Sequence, residues 1–176
     1  MAKNLVSFVG VPGRWEKIEA GQHFTVVVDY AFEPQALTNL YQVVKQQKPK
    51  RIINVLGATG GGRDVWRRSV LGKLAGSQAD LVIVTNEDPY DDDPQQIIDQ
   101  VAAGVLAAGK KLEQNLFKIL DRRQAIAKAL ALAQPGDLVL ITGKGSEQAI
   151  AGPHGQLFPW DDREVVREEL HKLKSL

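Results

Sequence analysis

Short β-branched apolar runs alternate along this chain with longer segments striped at helical spacing, and few architectures accept that alternation. Phe24, Thr25, Val26, Val27 and Val28 form a continuous run of the kind required by a strand buried on both faces. Pro34 opens a segment, 35–47, in which Leu37, Leu40, Tyr41, Val43 and Val44 make one helical stripe. The same patterning predicts strands at 51–56, 81–85, 115–120 and 138–142. Helices are expected at 65–75, from Pro94 through Val105, at 122–133 behind Asp121 as N-cap, and at 163–174 behind Asp161 and Asp162. A hairpin-like excursion through Gly152 and Gly155 to Trp160 precedes the last helix. Residues 1–22, with Gly10, Pro12, Gly13 and Gly21, have poor periodicity and read as a linker, a lead-in, or an edge element from a neighbouring domain, ahead of one domain over 23–176.

The expected fold is α/β: an open, mostly parallel, twisted Rossmann-like sheet with helices on both faces. At 176 residues the chain is long enough to hold a core of its own. Twenty-two Lys plus Arg against 21 Asp plus Glu leave a net charge of +1, which offers no overall field for nucleic acid or an anionic membrane. The absence of cysteine excludes disulfides, thiol nucleophiles and Cys-based metal centres, and a reducing cytoplasm is the expected compartment. No apolar run approaches the roughly 18 to 20 residues of a spanning helix, and the first residues lack the apolar stretch of a signal peptide. His23, His154 and His171 have no metal-ligand spacing, so no metal site is expected, and no Ser-His-Asp constellation can be drawn.

In an open parallel sheet, ligands bind beyond the carboxyl ends of the strands. Four loops fall there: Asp29 to Phe32, then 57–64, 86–93 and 143–147. The glycine run at 57–62 is not G-x-G-x-x-G, and no G-x-x-x-x-G-K-[ST] phosphate cradle occurs anywhere. That run reads as a flexible connection or, with Arg63 ahead of the next helix, as a grip for a carboxylate or phosphate. Asp91, Asp92 and Asp93 suit a helix N-terminus, whereas Glu87, Asp88 and Tyr90 lie nearer the strand end and suit a cationic substrate group. Gly143 and Gly145 around Lys144 imply close backbone approach or positive φ. The 143–147 segment, with Glu147 at the rim, reads as an ordinary surface loop or as a further charged loop of one site.

Val11-Pro12-Gly13-Arg14-Trp15-Glu16 is similar to a G-R-M-E motif, and Asp29-Tyr30-Ala31-Phe32-Glu33-Pro34 to D-Y-A-H-T-P. Gly62-Arg63-Asp64 through Arg67-Arg68 to Gly72 is similar to D-R-D…K-R-P…G, and Glu87-Asp88-Pro89-Tyr90 stands at D-N-P-R. Asp121-Arg122-Arg123-Gln124-Ala125-Ile126 follows D-R-x-x-A-I, and 143–147 follows G-K-G-H-E. In this order the motifs resemble the C-terminal domain of the Mur ligases, most closely the branch that adds the third amino acid to UDP-N-acetylmuramoyl-dipeptide in peptidoglycan synthesis. The resemblance implies a reaction in which ATP phosphorylates the substrate carboxylate and an amino acid's amine attacks the acyl phosphate, leaving an amide, ADP and phosphate. It places Arg14, Asp29, Tyr30 and Phe32 on the ATP side and gives Arg63 the amino acid's carboxylate. Asp88, Tyr90, Gly143 and Glu147, with Glu87 beside them, would shape the side-chain site.

The chain departs from these motifs at several positions. Phe32 and Ser146 stand where the resemblance would put His, and Tyr90 where diaminopimelate-adding enzymes have Arg. A substrate with a distal carboxylate would therefore lose its partner unless Arg67 or Arg68 folds into the pocket, and a basic diamino acid such as lysine or ornithine is expected instead. The P-loop and magnesium ligands of the central domain, and the N-terminal UDP-sugar domain, have no counterpart here. The chain is thus expected to be inactive alone, as a domain cut from a larger ligase. The alternative is a stand-alone, non-catalytic α/β binding module derived from one.

Overall fold

A computed structural model describes residues 10–62 and 64–174; Arg63 and the first part of the lead-in segment lie outside the described residues. The elements in chain order are β1 (Glu16–Lys17), β2 (Thr25–Asp29), α1 (Pro34–Gln46), β3 (Ile52–Leu56), α2 (Val65–Gln78), β4 (Leu81–Val84) and α3 (Pro94–Ala107). They continue with β5 (Leu116–Lys118), α4 (Arg122–Leu132), β6 (Leu138–Thr142), β7 (Ala149–Ala151), β8 (Leu157–Pro159) and α5 (Asp162–Lys174). Six strands form one sheet in the order β1-β2-β6-β3-β4-β5, and all but β1 run parallel. The molecule is the expected α/β fold with an open, mostly parallel sheet.

Topology decides which helix covers which face. From β2 through β3 and β4 to β5 the chain steps in one direction across the sheet, so right-handed crossovers place α1, α2 and α3 together. The step from β5 back to β6 reverses direction and puts α4 on the opposite face, where α5 joins it. The strands alternate accordingly. Val27, Leu56, Val82, Val84, Leu138 and Leu140 pack under α1 to α3, and Val26, Val28, Ile53, Val55, Ile83, Val139 and Ile141 under α4 and α5. Asn54 is a polar residue buried within this sheet, as is Thr142 at the end of β6; Asn54 accepts from the Tyr41 hydroxyl at 2.7 Å and donates to the Leu140 carbonyl at 3.0 Å. Where α2 and α3 cross, Gly72 lies against the Val101 carbonyl and Gly104 against the Ser69 carbonyl, so closely that a Cβ on either would collide with backbone.

The lead-in segment contributes to the sheet itself: Glu16 and Lys17 pair antiparallel with Val28 and Val27, and Ile18 is buried with the α4–α5 core. The strand expected at 115–120 is confined to β5, and the helix expected to end at 75 runs on to Gln78. The hairpin-like excursion is the separate two-stranded sheet β7–β8. No helix among the described residues is long and apolar enough to cross a membrane.

Candidate functional site: a carboxylate-rich cleft at the sheet edge

Parallel strands send their carboxyl ends to one edge, and the loops that leave β2, β3, β4 and β6 there enclose a cleft of about 310 Å³. Tyr30 and Phe32 form one wall, Thr59, Gly60, Asp64 and Arg67 another, and Glu87, Asp88, Tyr90, Gly143 and Glu147 the remainder. Seven residues singled out from the sequence thus meet in one place: Tyr30, Phe32, Glu87, Asp88, Tyr90, Gly143 and Glu147. Arg14 sits outside the cleft, its guanidinium 4.2 Å from the centroid of the Tyr30 ring. Asp29 lies beneath, accepting from the backbone N–H groups of Trp15 at 2.7 Å and Ala31 at 2.8 Å, so its carboxylate fastens the lead-in turn to the end of β2.

Lys144 organises the floor. Although lysine is almost never fully buried without a partner, this side chain is 2% exposed. Its ammonium donates to both Asp88 oxygens at 2.8 Å and lies 2.7 Å from Glu147 Oε2. Asp88 also accepts from the Ala151 N–H at 2.7 Å, which docks the β7–β8 hairpin onto the site. The loop can fold Lys144 inward because Gly143 takes a φ of 110°, and a Cβ there would stand 2.1 Å from Glu87 Oε2. Burial raises the Glu87 carboxyl from 4.5 to about 7, an effect that the Arg122 cation opposes and the Asp88 charge reinforces.

Further out, Arg67 reaches into the cleft, pairing with Glu33 and lying 3.6 Å from Asp64, with its guanidinium 5.8 Å from the Phe32 centroid. Arg68 is buried and does not line the cleft; it donates to Asp92 at 2.8 Å, to the Thr59 carbonyl at 3.1 Å and to Gln100 at 2.7 Å. The three consecutive aspartates have separate tasks: Asp91 accepts from the His154 N–H, Asp92 pairs with Arg68, and Asp93 caps α3 through the Gln95 N–H. Arg122 is buried and bidentate to Asp162, at 2.8 and 2.7 Å, and donates to the Asn86 and Thr142 carbonyls, which anchors α4 and α5 under the site. Among the described residues no group of His, Asp and Glu side chains is arranged to hold a metal ion.

Sequence reasoning gave no role to Lys144, Arg122, Glu33 or Asp64. Lys144 was visible through its flanking glycines and as the Lys of the G-K-G-H-E match, neither of which says where the side chain goes. Chemically, the described cleft presents Glu33, Asp64, Glu87, Asp88 and Glu147 against the lining guanidinium of Arg67 and the buried ammonium of Lys144. Such a surface favours a ligand group that carries positive charge.

Known proteins match this chain over nearly its whole length. It is 45% identical to a UDP-N-acetylmuramyl-tripeptide synthetase of Roseiflexus sp. (strain RS-1), an alignment covering 93% of the chain and 32% of that protein. It is 42% identical to a UDP-N-acetylmuramoyl-L-alanyl-D-glutamate–2,6-diaminopimelate ligase of Syntrophomonas wolfei subsp. wolfei, covering 92% of the chain and 32% of that protein. A solved structure of a UDP-N-acetylmuramoyl-L-alanyl-D-glutamate–2,6-diaminopimelate ligase superposes with a TM-score of 0.83 at 32% identity, over 95% of this chain and 33% of that one. The chain therefore spans about a third of the length of the relatives it matches. The family described as "Mur ligase, glutamate ligase domain" matches residues 13–145, and with fold, motifs and relatives in agreement the chain belongs to the Mur ligase C-terminal domain family.

Proposed function

We propose that this chain is the amino-acid-binding part of an ATP-dependent, cytoplasmic ligase that joins a third amino acid to UDP-N-acetylmuramoyl-dipeptide in peptidoglycan synthesis. The observation that carries the reading is the carboxylate-rich cleft at the strand ends of a Mur ligase C-terminal fold. In the proposed reaction the dipeptide's carboxylate takes the γ-phosphoryl group of ATP. The amino acid's amine then attacks the acyl carbon, phosphate departs, and the amine loses a proton. Phosphoryl transfer needs a phosphate cradle and Mg²⁺, which the central domain of the complete ligase would supply. The present chain would hold the amino acid in its cleft, take its α-carboxylate on Arg63, and close over ATP with Arg14, Tyr30 and Phe32 on the nucleotide side.

The preferred amino acid follows from charge. Arg67 lines the cleft but is engaged by Glu33 and Asp64, and Lys144 is engaged by Asp88 and Glu147, so a distal carboxylate meets carboxylates first. A distal ammonium meets a lining in which carboxyl groups outnumber cations, where one unit attraction is about 4 kcal/mol at roughly 4 Å before desolvation and before the Arg67 and Lys144 charges already paired there are subtracted. A basic diamino acid such as lysine or ornithine is therefore the proposed substrate. Two assays test this. The purified chain should form no amide from ATP, dipeptide precursor and amino acid, and a chain carrying a Mur ligase central domain should restore it. With the complete ligase at equal concentrations of L-lysine, L-ornithine and meso-diaminopimelate, a kcat/KM highest for diaminopimelate would overturn the preference.

A further inference from the structure

Tyr30 is a shared wall. Its ring bounds the carboxylate-rich cleft on one side, and on the other it lines a shallower groove of about 380 Å³ together with Arg14, Trp15, Ala36 and Val43. Short contacts run through it from one hollow to the other. The exposed Arg14 guanidinium lies 4.2 Å from the ring centroid, and the phenol donates to Glu147 Oε1 at 2.9 Å. Glu147 Oε2 in turn lies 2.7 Å from Lys144 Nζ. Burial, and then the bond to Glu147, raise the phenol to about 12, which keeps it a donor at every physiological pH.

The two ends of this chain of contacts differ in freedom. Lys144 is buried and clamped on both Asp88 oxygens, whereas the Glu147 side chain is 39% exposed and can turn toward a ligand. From this geometry we propose that Tyr30 is a positioning residue that reports occupancy of the cleft to Arg14, an inference that rests on the amino-acid reading given above. A bound ammonium draws Glu147 toward itself, the phenol follows its acceptor, and the guanidinium resting on the ring is re-aimed within the outer groove. By linkage, an anionic ligand that prefers the re-aimed Arg14 tightens amino-acid binding by the same factor.

The test uses the whole 176-residue chain with isotope-labelled arginine and backbone amides, titrated with L-lysine and separately with meso-diaminopimelate. In the wild type the Arg14 Nε–H resonance should shift along the same saturation curve as the Asp88 and Glu147 amides. Tyr30→Phe keeps the ring under Arg14 and deletes only the hydroxyl; the amides should still shift and the Arg14 response should be lost. Glu147→Gln leaves an acceptor for the phenol but removes the charge that a ligand ammonium pulls on, and it too should silence Arg14 if Tyr30→Phe fails to fold. An Arg14 resonance that stays still in the wild type while the amides move overturns the proposal, as does one that shifts equally in either variant. If neither amino acid moves any resonance in the cleft, the amino-acid reading itself falls and the proposal with it.

Discussion

At Glu87 a carboxyl group with 4% exposure sits between the Asp88 and Arg122 charges and touches Gly143. Its proton is held more tightly in the folded chain than in the unfolded one, with a carboxyl raised from 4.5 to about 7. The stability this gives is fully present below pH 4.5 and is lost as pH rises through about 7, to the extent of about 3 kcal/mol. Glu87→Gln removes the titration, so its urea stability relative to wild type should grow across that window; a difference that stays flat between pH 5 and pH 8 contradicts the assignment. Lys144 matters through the carboxylate it holds. Replacing it with Met leaves Asp88 buried with only the Ala151 N–H as partner, which should cost about 3 kcal/mol. Denaturant unfolding should show part of that loss returning when Asp88→Asn is added, and a single variant as stable as wild type would show the pair to be dispensable.

Within the elements, the pair beneath the site joins two helices. Arg122 on α4 and Asp162 at the start of α5 are both buried, and the carboxylate also accepts from the Trp160 indole at 2.8 Å. Arg122→Met strands that charge and should destabilise the chain by roughly 3 to 5 kcal/mol, with early loss of hydrogen-exchange protection in α5. Protection that falls uniformly across the sheet instead would place the weakness elsewhere. Elements such as β2, β3, β4 and β6 were legible in the sequence because strands covered on both faces cannot hide their β-branched runs. Helix starts were legible at Pro34, Pro94 and Asp121, the last of which accepts from the Gln124 N–H at 2.8 Å. β1 was not, since two residues paired through backbone alone have no side-chain period. The rim of the cleft was legible because parallel topology gathers strand ends; its charge balance was not. A lysine between two glycines reads as solvated, and the Asp88 that buries it lies 56 positions away along the chain.

For the molecule as a whole, the two cores share every central strand, so neither face can lose its packing without the other. Trp15 packs on the α1–α3 side and Trp160 on the α4–α5 side. With the exposed Trp66 replaced by Phe, fluorescence of the Trp15→Phe and Trp160→Phe variants should report superimposable urea transitions, coincident with circular dichroism. Separated midpoints would mean that the faces melt independently. The contact between α2 and α3 has a mechanical counterpart: with carbonyls pressed on Gly72 and Gly104, neither helix can slide or roll against the other. The loops that feed them, at 57–62 and 86–93, must therefore travel as one arm of a calliper whose second arm is Tyr30 with the 143–147 loop. Lys144 rivets the arms together through Asp88. A gauge riveted at Asp88 keeps its span while the Glu147 and Tyr30 side chains on its second arm stay free to turn, so it sorts candidate ligands by length at the rivet and by charge at the tip.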